Sequence, residues 1–175
     1  ILVIGTPPFC NQVNLTLEAT GLACTSGNPA QWTLYNSYSN TTLNLISTPG
    51  DPCSLGWTFN PGCWNVSVTI AGGPTITMEE LFCVEQPQAA FTISDMTICE
   101  GGCVEVADVS TSPASPIDTW VWNGLPCAEA ALGDNSFTCC LGVGTYAPQL
   151  LVFANGCPAT ETNGGTIVVS DSYPT

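Results

Sequence analysis

The stretch Gly62-Cys63-Trp64-Asn65-Val66-Ser67-Val68 decides the fold. Trp64, Val66 and Val68 recur at every second residue, with Asn65 and Ser67 between them, and a period of two puts one apolar set on one face of a β-strand. Asn60-Pro61-Gly62 leads into it, and Gly72-Gly73-Pro74 follows its end near Ile70. The same alternation occurs in Val13-Leu15-Leu17, Trp57-Phe59, Val104-Val106, Trp120-Trp122 and Leu151-Phe153. Further breaks fall at Thr6-Pro7-Pro8, Pro49-Gly50-Asp51-Pro52 and Gly164-Gly165. Only Cys127 to Leu132 allows a short helical turn, and no long stretch has helical spacing. The expected class is all-β, built as a β-sandwich.

Outward from Gly62, the chain reads as two copies of one plan. Leu2-Val3-Ile4 begins eight residues before Cys10, and Phe91-Thr92-Ile93 begins eight before Cys99. An alternating strand follows each cysteine, Val13 to Glu18 and Val104 to Ala107. A tryptophan strand comes next, Trp32 in one copy and Trp120 with Trp122 in the other. Gly62 to Val68 then corresponds to Gly144 to Val152, and the copies close near Ile76–Val84 and Thr166–Val169. The boundary at Gln86-Pro87-Gln88 predicts domains 1–86 and 87–175, each small enough to gain from disulfide bonds.

The 175 residues include 14 Asp and Glu but no Lys, Arg or His, a formal net charge of −14. Average usage would supply roughly 20 basic residues. Without them the chain has no side chain to neutralise phosphates, which excludes nucleic acid binding by the usual route, and anionic membranes and phosphorylated substrates with it. Lack of His removes Ser-His-Asp and Cys-His catalysis and imidazole metal ligands. The runs Ile1–Ile4 and Leu150–Ala154 are far too short to span a bilayer, so no membrane insertion is expected. Eleven cysteines suggest an oxidising, secreted or cell-surface setting, and a start at Ile1 suggests a chain trimmed from a longer precursor.

Cys10, Cys24, Cys53, Cys63 and Cys83 lie in the first half, and Cys99, Cys103, Cys127, Cys139, Cys140 and Cys157 in the second. All are disulfide candidates, and spacing alone leaves many connectivities open. Cys53 with Cys63 would close a short hairpin loop. Adjacent Cys139 and Cys140 must choose different partners, most simply Cys103 and Cys127. The odd total leaves one cysteine free and buried or bonded to another chain. Cys99-x-x-x-Cys103 with Cys139-Cys140 is the metal alternative, but its spacing is poor for zinc, so no metal site is expected.

Asn14, Asn40 and Asn65 each begin an Asn-x-Ser/Thr triplet and are the glycosylation candidates, with Asn14 and Asn65 on the outward phase of their strands. The acids are scattered, and adjacent Glu79 and Glu80 would point to opposite faces of a strand, so no catalytic carboxylate pair is expected. No cofactor is expected; calcium at turn acids near Asp108, Asp118 or Asp134 is the sole exception kept, without a calcium-loop motif behind it.

Residues 87 to 170 resemble the immunoglobulin-like PKD domains of bacterial cell-surface proteins and adhesins. The matching residues are Pro87-Gln-Ala-Ala-Phe91-Thr-Ile93, Trp120-Val-Trp122-Asn-Gly124, Gly144-Thr-Tyr146 and Asn155-Gly-Cys157. The first half is similar through its strand order and aromatic positions. The resemblance implies two tandem immunoglobulin-like sandwiches serving as spacer, adhesive or assembly modules without catalysis. It also implies a bond between Cys99 and Cys157.

Ile1-Leu2-Val3-Ile4 is then either the first strand of domain one or a strand donated to a sheet edge of the next molecule. Donation is head-to-tail and generates filaments, with other copies of the chain as partners. A surface fibre protomer is the leading expectation. A carbohydrate-binding or adhesin module using Trp57, Tyr35, Tyr38 or Trp122 to stack on glycans is the alternative.

Overall fold

Gly62–Thr69 forms a strand with Gly62, Trp64, Val66 and Val68 buried and the residues between them half-buried. The computed structural model describes residues 1–128, 133–159 and 162–171, and the chain divides into two units, Ile1–Gln86 and Pro87–Thr175. Glu129, Glu161 and most of the expected helical turn at 127–132 lie outside the described residues.

The first unit has seven strands: β1 (Leu2–Ile4), β2 (Val13–Glu18), β3 (Gln31–Asn36), β4 (Thr41–Ile46), β5 (Ser54–Phe59), β6 (Gly62–Thr69) and β7 (Thr75–Val84). They form two antiparallel sheets, β1-β2-β5 and β4-β3-β6-β7, so the β2–β3, β4–β5 and β5–β6 connections cross between layers as in an immunoglobulin-like sandwich. Alternation supplies the inner faces: Leu15, Leu17, Leu55 and Phe59 from one sheet, Trp32, Leu34, Trp64, Val66, Val68, Phe82 and Val84 from the other. Phe59 sits edge-on to both Trp64 and Phe82, with ring centroids 5.1 and 4.9 Å away. Such edge-to-face pairs add to the area they bury.

Gly62 opens β6 for a steric reason. Its φ is 123°, and a Cβ there would fall 2.4 Å from Asn36 Oδ1. Asn36 is fully buried; its Nδ2 donates to Pro61 O, while its Oδ1 accepts from the backbone N–H groups of Tyr38 and Ser39. That one side chain therefore closes the β3–β4 turn and ties it to the entry of β6. Gly62→Ala should cost about 2 kcal/mol or more through backbone strain and displacement of Asn36. A thermal melt checks this, and a midpoint within a degree of the parent would contradict it.

In the second unit the strands are β8 (Phe91–Ile93), β9 (Thr97–Cys99), β10 (Cys103–Asp108), β11 (Thr119–Asn123), β12 (Ser136–Cys140), β13 (Gly144–Tyr146), β14 (Gln149–Ala154), β15 (Cys157–Pro158), β16 (Thr162–Asn163) and β17 (Ile167–Ser170). One sheet is β12-β10-β8. Facing strands follow β11-β14-β15, with β16 also on β14, and β13-β17-β9, where β9 and β17 run parallel. Pro148 separates β13 from β14, since proline cannot donate to a ladder. Trp122 is the hub, 3% exposed, with Phe91 and Phe137 edge-on at 5.4 and 5.3 Å and its Nε1 donating to Asp134 O.

Candidate functional site

The N-terminal segment Ile1, Leu2, Val3, Ile4 lies in its own sandwich. β1 pairs antiparallel with β2 in the register Leu2↔Glu18, Val3↔Leu17, Ile4↔Thr16. Ile1 and Val3 pack against the core, whereas Leu2 and Ile4 face outward at 50% and 51% exposure. β1 is an edge strand with one neighbour and three residues of ladder.

Disulfides join Cys24 to Cys53, Cys63 to Cys83, Cys103 to Cys140 and Cys127 to Cys139. The hairpin pairing of Cys53 with Cys63 is therefore corrected, because β5 and β6 belong to different sheets, with Cys53 just before the start of β5 and Cys63 at the start of β6. Cys63 instead lies directly opposite Cys83 in the β6–β7 ladder. Adjacent Cys139 and Cys140 point to opposite faces of β12. Cys139, 1% exposed, bonds inward to Cys127, and exposed Cys140 bonds to Cys103 across β10. Cys10 and Cys157 are also in disulfide form. The expected Cys99–Cys157 bond is overturned, since Cys99 is a free, half-buried thiol at the end of β9. Parallel pairing with β17 sets Cys99 opposite Ser170.

The three sequons differ in geometry. Asn14 is exposed on β2, and its Oδ1 accepts from Thr58 Oγ1. Asn40 is exposed in the β3–β4 turn at φ 53°, with its Oδ1 accepting from Tyr35 OH at 2.9 Å. Asn65 lies on the outer side of β6 but is half-buried, because its Oδ1 accepts the Glu80 N–H at 2.8 Å where β7 bulges. The bulge also changes the setting of Glu79 and Glu80: the strand is irregular there, and Glu80 takes φ 45°.

Of the four candidate sugar-stacking aromatics, Trp122 is core and thus corrected. Tyr35 is half-buried, Tyr38 is 66% exposed in a turn, and Trp57 is 37% exposed. Trp57 borders a hollow of about 330 Å³ with Asn14, Leu15, Thr16, Gly56 and Thr58. The acids mostly organise turns. Asp108 Oδ1 accepts from the Ser110 N–H, and Asp118 accepts from Thr119 Oγ1 and the Asn155 N–H. Among the described residues no three acids or cysteines gather into a metal-binding group. No helix of the described residues is long and apolar enough to cross a membrane.

No family model matches the chain, and no curated protein matches its sequence. Solved structures do match. The chain is similar to an amphioxus IgVJ-C2 molecule at 12% identity, over 90% of this chain and 96% of that one, with a TM-score of 0.46. It is similar to the full ectodomain of mouse nectin-like molecule 4 at 16% identity, covering 99% and 65%, with a TM-score of 0.46. Fibronectin(III)-like modules of Clostridium thermocellum CbhA match at 13% identity, covering 93% and 89%, with a TM-score of 0.40.

Proposed function

We propose that the chain is a non-catalytic extracellular structural module, of the tandem PKD or immunoglobulin kind, whose copies join head-to-tail into a surface fibre through exchange of β1. The observation that carries this reading is the state of β1. It is a three-residue edge strand on a single neighbour, with two of its three apolar side chains exposed. Replacement of β1 by the same strand of the next copy would re-form the same β1–β2 register, so exchange loses few contacts while linking molecules in an open series. The disulfides suit an oxidising exterior. Asn40, in an exposed turn, is the sequon most open to an attached sugar.

Negative-stain microscopy tests the proposal. Regular filaments are expected from the intact chain and none from a chain lacking residues 1–5; filaments that survive the deletion unchanged would refute strand exchange. Trp57 beside its hollow favours a second reading, a glycan-binding module. Monodisperse monomers that bind on a glycan array, and lose binding with Trp57→Ala, would select it.

A further inference from the structure

The geometry points to β4 as a homotypic docking edge, through which two copies of this chain pair side by side about a two-fold axis to make one continuous sheet. This surface is separate from β1 and holds whether or not fibres form.

The first observation is electrostatic. With 14 acids and no base, copies repel one another over most of their surface. Between Glu18 and Glu79, however, Asp51 is the single charged residue, and β3, β4, β5 and β6 carry none. The outer face of β4-β3-β6-β7 is a field of hydroxyls and amides. Thr33 Oγ1 donates to Asn44 Oδ1 at 3.0 Å, and the hydroxyl pairs Ser67–Thr77 and Thr69–Thr75 lie at 2.8 and 2.7 Å. A second molecule of the same charge can approach closely here without bringing carboxylates together. That argues for a copy of this chain as the occupant.

The second observation is the edge itself. β4 is bonded to β3 alone, spans six residues, and contains no proline and no charge. Natural edges are usually blunted by charge, bulge, proline or shortness. Those devices appear on the other edges. β7 bulges beside Glu79 and Glu80. The margin of β5 is occupied by Thr48, whose N–H donates to Ser54 O and whose Oγ1 accepts from the Gly56 N–H. β1, β8, β9 and β13 have three residues each, and β11 and β12 have five, beside Asp118 and close to Asp134. Ile46 on β4 is 66% exposed.

The register follows from the ladder. Ser47 N–H donates to Ala30 O, extending the pairing Gln31↔Ile46, so Leu45, Leu43 and Thr41 direct their backbone groups to β3. Thr42, Asn44 and Ile46 therefore direct theirs outward. In an antiparallel pair of identical strands they meet as Asn44↔Asn44 on the axis and Thr42↔Ile46 on either side, which satisfies every outward N–H and C=O of the three. The contact is smaller than a standard interface, so it is weak and requires protein concentrations on the order of 100 μM to 1 mM.

Sedimentation of the full chain tests this, with Cys99→Ser as background so that thiol-linked dimers do not form. The mass should rise from 18.2 kDa towards twice that value with concentration, and further as salt of on the order of 0.5 M screens the acids. Asn44→Pro removes an outward N–H and leaves the β3 bonds in place, and Asn44→Asp sets like charges directly opposite each other on the axis. Both should fold with unchanged circular dichroism and remain monomeric, whereas a chain lacking residues 1–5 should still pair. A parent that stays monomeric throughout, leaving the edge to a foreign strand, overturns the proposal, as does undiminished pairing by both folded β4 variants.

Discussion

Reduction of the disulfides should remove much of the stability of the first unit. Cys24–Cys53 and Cys63–Cys83 join residues 29 and 20 apart in sequence. On the chain-entropy account each loop contributes about 3 to 4 kcal/mol by restricting the unfolded chain. Together they amount to about 7 kcal/mol, against the ~4 to 13 kcal/mol expected for 86 residues from the usual stability per residue. The melting midpoint should fall by more than about 25 °C. Both bridges are half-buried, so a small phosphine reductant followed by alkylation is the appropriate treatment. Circular dichroism and tryptophan fluorescence report the outcome, and a reduced, alkylated chain melting within a few degrees of the oxidised one would sink the argument.

Trp32→Ala should be the most damaging single change in that unit. Trp32 is 1% exposed between the sheets, and its Nε1 donates to Ser47 Oγ, which itself donates to Ala30 O at 3.1 Å. Truncation leaves a cavity in the sandwich and takes a partner from a buried hydroxyl, at a cost of about 3 to 5 kcal/mol. With a urea m-value of ~1 to 2 kcal/mol/M, the midpoint should drop by ~2 M or more. Tyr38→Ala, at an exposed turn, is the control and should change stability by less than about 0.5 kcal/mol. A Trp32 variant no worse than the Tyr38 variant would show that the first core is organised differently.

Strands that alternate strongly were legible in the sequence, and those that depend on neighbours were not. Val13–Glu18 and Gly62–Val68 carry their own period of two; the first is a strand of the same bounds in the fold, and the second runs one residue further, to Thr69. β4 went unread although Leu43 and Leu45 alternate, because two half-buried leucines among Thr and Asn make a weak period, and the strand is defined by its pairing with β3. β12 was hidden by adjacent cysteines, which make sense only once the two faces of the strand lead to different partners. Disulfide pairing is a property of register. Cys63 faces Cys83 only after the β7 bulge absorbs extra residues between Met78 and Phe82, and nothing in cysteine spacing reveals a bulge. The burial of Trp122 and the engagement of Asn65 likewise depend on tertiary neighbours, Phe91 and Phe137 for one and Glu80 for the other.

The disulfide bridges also set how the molecule behaves under tension. A module pulled by its ends normally lengthens by about 3.5 Å for every residue released from its fold. Here the segments 24–53, 63–83 and 103–140 are closed by covalent bonds, and force passes through the sulfurs rather than through the chain between them. Roughly half of the polypeptide is thereby withheld from extension. Even if both sandwiches opened, the thread would stay short, so the chain can yield locally while its reach remains capped.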